Sequence, residues 1–401
     1  LNFARSRSLD PRITFTRASV GTYVGRDGLI KTAGEDEARF DHDPVTLESL
    51  GLLIEESRTN RAYGTPSATQ GAVYLGQNNS LTGTNNAILF GKNSPTSGQS
   101  NLNWSVSGTV STTSFIFSVF VKEVNTSTFF LQLVNNPVND NLYVYYNVAT
   151  GSTSFTDFSA PGNLTVTPSI ENYIDGWYRL IVRVEGFANG TINGSVRLGF
   201  AEPSNLSQQY TNTTHEVLVY GPQLEDGAFP TSYIPTSGAA ATRPRDNAII
   251  NQTIATGNIT IVGEYKMRMT ASNQWNRLFG LGEGSSDIRP FIDANGNIIW
   301  YNYGTNSPAT DWSALGLSVP DNSYFRFAFA ARQNVANSVS VNGTTVDTQS
   351  NTNPGAYVNW NELYLGDTDV GTGPRDMTGH IKEFRIYNDA FTDTQLQLLS
   401  S

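Results

Sequence analysis

The chain has 401 residues, 15% of them charged, with a formal net charge of −10, no cysteine and three histidines. This length predicts two or three domains. The acidic balance argues against nucleic acid as a partner, because phosphate contacts need basic surface. The missing thiols exclude disulfides, thiolate nucleophiles and zinc–thiolate or Fe–S centres. No stretch approaches 18 consecutive apolar residues, so no membrane insertion is expected. No signal-peptide pattern opens the chain, and Leu1 in place of Met is expected to mark a processed or trimmed product.

Charge density divides the sequence. Residues 1–60 hold eight basic and ten acidic side chains, and the same numbers are spread over residues 61–245. That middle stretch is rich in Asn, Ser, Thr and Gly. Such a surface suits a neutral partner such as a polysaccharide better than an ionic one.

In chain order, the first 60 residues read as short extended pieces with turns: Ile13–Tyr23, Gly25–Gly28 and Gly51–Glu55. A segment this small is marginal alone, so it is expected to pack on the middle domain or on another subunit. Period-two alternation follows. Phe115, Phe117, Val119 and Val121 share one face, as do Phe129, Leu131 and Leu133. Tyr178, Leu180, Val182 and Val184 repeat the pattern, and so do Val196, Leu198 and Phe200. Residues 233–245 read as a linker because small residues and prolines break pairing. A second strand series starts near Asn258. Asn295-Gly296 and Asn342-Gly343 are expected to form type I′ hairpin turns, in which both central residues need positive φ. The one convincing helix is terminal, with Thr392 as cap, Gln395 completing a capping box, and Leu396 and Leu399 on its apolar side.

The fold class expected is all-β: two β-sandwich (jelly-roll) domains preceded by a small irregular N-terminal module. The expected boundaries are 1–61 for an attachment and assembly module, 62–237 for the first sandwich, 238–250 for the linker and 251–401 for the second sandwich.

Several runs carry a family resemblance. Phe15-Thr-Arg-Ala-Ser-Val-Gly-Thr-Tyr-Val24, Ala38-Arg-Phe-Asp-His-Asp-Pro44 and Leu50–Asn60 resemble a module recurring in tail-fibre and related surface proteins of tailed phages. Gly176-Trp-Tyr-Arg179, Tyr220–Glu225 and Pro230–Thr236 resemble the carbohydrate-binding-module-like jelly roll that accompanies it. Asn361–Gly366, Gly379–Tyr387 and Ala390–Asp393 resemble the closing strands and cap of a concanavalin A-like, laminin-G-type lectin domain. The resemblance implies a virion surface protein, a fibre or decoration. It would be homo-oligomeric and most simply trimeric, with other virion proteins and host-surface polysaccharide as partners.

Candidate chemistry is sparse. Concanavalin-like hydrolases carry Glu-x-Asp-x-Glu on one strand, and no such spacing exists here. Glu35-Asp36-Glu37 reads as solvated loop charge. His380 reads as a structural strand residue, while His42 in a turn and His215 at a strand start have no evident partner. No catalytic residue is therefore expected and the chain is read as a non-enzyme. No cofactor is required, though Asp367, Asp369 and Asp376 on a Gly-rich loop are the candidate ligands for Ca²⁺, set against a plain acidic surface loop. Sugar binding uses flat aromatic faces with Asn and Asp reading hydroxyls. The candidates are Tyr301, Tyr303, Asn306, Asp311 and Trp312, joined by Trp275 and Trp360 in other loops. Trp177 is assigned to the core. Two further readings stand beside adhesion: a ligand-free structural spacer, and a polysaccharide depolymerase.

Overall fold

A computed structural model of the chain describes residues 1–69, 71–92, 100–110, 114–136, 140–157, 164–186, 190–201, 215–254, 258–269, 276–281, 288–293, 295–302, 310–332, 336–344, 346–350, 360–366 and 377–401. The alternating runs become strands as their periodicity requires. Along Ser114–Glu123 the side chains of Phe115, Phe117, Val119 and Val121 are buried. They meet Leu131, Val144, Leu180, Val182, Val196 and Leu198 between two six-stranded antiparallel sheets. This is the jelly-roll-like sandwich of the middle region.

The second sandwich consists of an eight-stranded and a seven-stranded sheet. Between them lies a core containing Ile261, Tyr265, Phe279, Phe327, Leu363, Ile381 and Phe384. The terminal helix, Asp393–Ser400, packs on the outer face of the seven-stranded sheet through Leu396, against Val262, Ala328 and Ala330. Its capping box forms: the Thr392 side chain accepts from the Gln395 N–H and the Gln395 side chain accepts from the Thr392 N–H. Asn342 and Gly343 both have positive φ, and the Thr344 N–H closes the turn onto the Val341 carbonyl at 2.9 Å. At Asn295-Gly296 the expectation differs from the structure, because only Gly296 has positive φ. The Asp293 carboxylate accepts from the Asn295 and Asn297 N–H groups, each at 2.8 Å, and this side-chain turn opens the loop to four residues.

The N-terminal 60 residues do not stand apart as a module. Strand Ile13–Thr16 pairs with Asn247–Ile254 in the eight-stranded sheet. Strand Ser49–Ile54 pairs with Gly379–Tyr387 in the seven-stranded sheet, and Arg39–His42 extends that edge. Ile13, Phe15, Leu52 and Ile54 sit in the second sandwich's core. That sandwich is thus built from both ends of the chain, with the jelly roll inserted between them. The reason is local: each strand is too short to bury its apolar face alone, and the second sandwich offers two free edges. The hairpin of Gly21–Val24 and Ile30–Ala33 instead covers the outside of the jelly roll, where Ile30 packs with Phe120 and the fully buried Trp177.

The stretch read as a linker is ordered and partly buried. Strand Ala241–Arg243 pairs with Arg58–Asn60, and strand Asn247–Ile254 starts the second sandwich. Its small residues do break long pairing, but Arg243 and Asp246 are drawn inward by ionic partners.

Candidate functional site

The two sandwiches and the N-terminal strands meet at a buried ionic cluster. Arg39 lies on the outer face of its strand, opposite Leu53. Its guanidinium donates to Glu55 at 2.6 Å and to Asp246. Arg17 donates to the other Asp246 oxygen at 3.1 Å, and Arg243 lies 3.1 Å from Glu55. Ser232 closes the set, its N–H and hydroxyl both donating to Glu55. Beside it, buried Glu225 accepts from the Thr231 N–H at 3.0 Å and from its hydroxyl. Burial alone would raise the Glu55 carboxyl, but the charges of Arg243 and Arg39 outweigh it and hold the group well below the usual carboxylate range.

Next to this cluster a cleft of about 570 Å³ opens between the jelly roll and the outer face of the seven-stranded sheet. Period-two alternation puts Asp41 on the same face as Arg39, and cross-strand pairing sets Lys266 beside His380. His380 Nε2 lies 2.8 Å from Asp41 Oδ2, and Asp41 Oδ1 accepts from the Val24 N–H at 2.7 Å. A carboxylate only accepts, so Nε2 carries the hydrogen. The Nδ1 atom is buried without a protein partner, as is Arg179 Nε on the jelly-roll side. Arg268 of the sandwich faces Glu171 of the jelly roll at 3.7 Å and spans the cleft. The amides of Val45 and Thr46 donate to Asp43 and, against burial, lower its pKa. Burial lowers the Lys266 ammonium, which sits 5.9 Å above the Tyr324 ring. Tyr23, Tyr173 and Tyr233 also line the cleft.

The expected sugar platform is only partly placed. Backbone pairing sets Tyr301 opposite Asp311 and Trp300 opposite Trp312, which brings Tyr301, Asp311 and Trp312 onto neighbouring strands. Trp360 begins the strand Trp360–Leu365, far along the same sheet. Tyr303, Asn306 and Trp275 lie outside the described residues, as do the three candidate calcium ligands Asp367, Asp369 and Asp376. Among the described residues no three His, Asp or Glu side chains converge as a metal site, and no helix is long and apolar enough to cross a membrane.

Sequence reasoning missed the cleft. His380 sits on a strand as expected, but its partner Asp41 lies 339 positions away. The available signal was Arg39 and Asp41 at period two, which puts two ionic side chains on one face of a short strand.

Residues 247–397 match the concanavalin A-like lectin/glucanases superfamily in its laminin G type. No curated protein matches the chain. Among solved structures, the heptameric SAP-like pentraxin from Limulus polyphemus is similar at 13% identity and a TM-score of 0.32, over 38% of this chain and 74% of that one. The CBM40 of the Ruminococcus gnavus IT-sialidase, bound to alpha2,3 sialyllactose, is similar at 20% identity and a TM-score of 0.33, over 37% of this chain and 84% of that one. The binding domain of botulinum neurotoxin serotype G is similar at 14% identity and a TM-score of 0.32, over 38% of this chain and 40% of that one.

Proposed function

We propose that the chain is a non-catalytic glycan-binding protein that displays a lectin-like sandwich on the surface of a tailed-phage particle. The observation that carries the glycan-binding part of this reading is the match of residues 247–397 to the concanavalin A-like lectin/glucanases superfamily. The sparse charge of residues 61–245 supports a neutral, hydroxyl-rich partner. The virion assignment draws on the resemblance of the N-terminal runs to tail-fibre proteins. Their residues Arg17, Arg39 and Glu55 are among those that tie the chain's units together. A homotrimer fits this role, since repeated copies raise the avidity of weak sites by orders of magnitude. The loop of Asp367, Asp369 and Asp376 is the proposed calcium site, and the strands of Tyr301 and Trp312 the proposed sugar platform.

The test is a glycan array on the intact oligomer, with and without calcium. Binding to host-surface polysaccharide is expected, and its absence under both conditions overturns the reading. One observation favours a depolymerase instead: the Asp41–His380 pair lies in a cleft. That reading requires polysaccharide solutions to lose viscosity on incubation with the protein, whereas an adhesin leaves viscosity unchanged.

A further inference from the structure

We infer that the cleft between the two sandwiches is itself a binding site for a neutral oligosaccharide, separate from the proposed aromatic platform. The inference rests on the glycan-binding reading and adds a second place where the sugar sits.

The cleft has the size of ordinary ligand sites, which run from about 300 to 1,000 Å³. Its walls combine tyrosine rings with polar groups already fixed in position. Tyr23, Tyr173 and Tyr233 supply half-buried ring surface, and Asn172 and Asn322 supply amides. The carboxylates are engaged with cations or with the backbone, Asp41 with His380, Glu171 with Arg268 and Asp43 with the amides of its own loop, while the Lys266 ammonium lies over the Tyr324 ring. A cationic ligand would have to displace His380 or Arg268 in a half-buried setting, at a cost of desolvation on both sides, and an anionic one would face Asp41, Asp43 and Glu171. A sugar hydroxyl breaks none, because it can donate to a lone pair the carboxylate still has free and accept from the Lys266 ammonium. Groups held in place before the ligand arrives lose little entropy on binding, so even a weak contact set gives useful affinity. The unpartnered Arg179 Nε and His380 Nδ1 add polar demand to the same walls.

The site draws on both units. Glu171, Asn172 and Tyr173 come from the jelly roll, while Asp41, Lys266 and His380 come from the sheet. A ligand seated there would bridge them.

The experiment uses the full chain with maltotetraose, cellotetraose and lacto-N-tetraose as neutral probes and a hyaluronan tetrasaccharide as the acidic comparator. Hydrogen–deuterium exchange is read with each probe present, and affinity is measured by calorimetry. At least one neutral probe is expected to slow exchange in peptides spanning residues 41–46, 171–173 and 266–268. Asn172→Trp fills the mouth from an exposed strand end, so it should weaken that probe at least tenfold while the melting temperature stays constant. Lys266→Met is the second variant, with the same loss expected. Protection confined to other segments, or protection only by the acidic probe, overturns the cleft site and leaves the glycan-binding reading intact. No neutral probe binding at all also overturns it. An array on which no glycan binds overturns both.

Discussion

Arg39 and Asp246 are 207 positions apart, and both side chains are fully buried where they pair. One comes from the strand before the inserted jelly roll and the other from the stretch after it. The pair therefore closes the second sandwich across the insertion.

Removing one member of such a pair leaves the other charged and desolvated. Asp246 accepts from Arg17, from Arg39 and from the Glu55 N–H at 2.8 Å. Asp246→Ala is expected to cost at least about 3–5 kcal/mol. Arg39→Met, which keeps the stem's packing, is expected to cost nearly as much, because Glu55 and Asp246 each lose a buried cation and keep only Arg243 and Arg17. Urea unfolding of each variant checks this. A loss below about 1 kcal/mol for both would mean that water reaches the cluster.

Glu55 sets the direction of the acid response. Its folded-state pKa is depressed below the ordinary 4.5 by Arg243 and Arg39, against the opposing effect of burial. Its contribution to stability is therefore complete above about pH 4.5 and fades as pH falls toward the folded value. The urea midpoint is expected to drop steadily between about pH 5 and about pH 3. Glu55→Gln should be less stable at neutral pH and should show a flatter profile across that window. Parallel profiles for wild type and variant would count against the assignment.

The family-matched region is not expected to fold alone. A fragment of residues 247–401 lacks the strands Ile13–Thr16 and Ser49–Ile54, so Asn247–Ile250 and Gly379–Ile381 lose their edge partners. It also loses Ile13, Phe15, Leu52 and Ile54 from the core. Exposed edges and an open core favour association. Size-exclusion chromatography and thermal melting should show aggregates without a cooperative transition. A monodisperse, sharply melting fragment would show that the N-terminal strands are dispensable.

Short-range patterns are the most legible part of the sequence. The alternation of Phe115, Phe117, Val119 and Val121 carries its own register, because each residue needs only the next but one to define a face. Thr392 and Gln395 are three residues apart, so their cap is a short-range pattern. The insertion and the cleft are different in kind. Arg17, Glu55 and Asp246 carry no local sign that they are buried; charged side chains in turn-rich segments usually lie in water. Only the pairing of distant strands moves them inward. The Asp41–His380 contact depends on the same event, since it forms only when Arg39–His42 and Gly379–Tyr387 join one sheet through Ser49–Ile54.

The helix cap offers a milder test. Thr392→Ala removes the acceptor for the Gln395 N–H and is expected to cost about 1 kcal/mol. The loss should appear as faster amide exchange in residues 393–400, with the two sandwiches unaffected. Equal loosening of Leu396 and of its neighbours Val262 and Ala328 would show instead that the helix and sheet open together.

Gly51 bears on the same edge without touching any charge. It sits opposite Asp41, with φ of 93°, a backbone region that strains any residue carrying a Cβ. A Cβ there would lie 2.2 Å from the Ile381 carbonyl oxygen, closer than two such atoms can approach. Backbone on both sides holds that oxygen in place: Ile381 pairs with Leu52 on one flank and with Tyr265 on the other. Relief must therefore come from separating Ser49–Ile54 from Gly379–Tyr387. Gly51→Ala is expected to destabilise the protein by more than the roughly 1–3 kcal/mol of backbone strain alone. It should also speed amide exchange in residues 379–381. A control at Gly64, whose Cβ would meet nothing within 4 Å although its φ is also positive, isolates the backbone term. If Gly51→Ala and Gly64→Ala cost the same, the contact with Ile381 contributes nothing and this edge is looser than its pairing indicates.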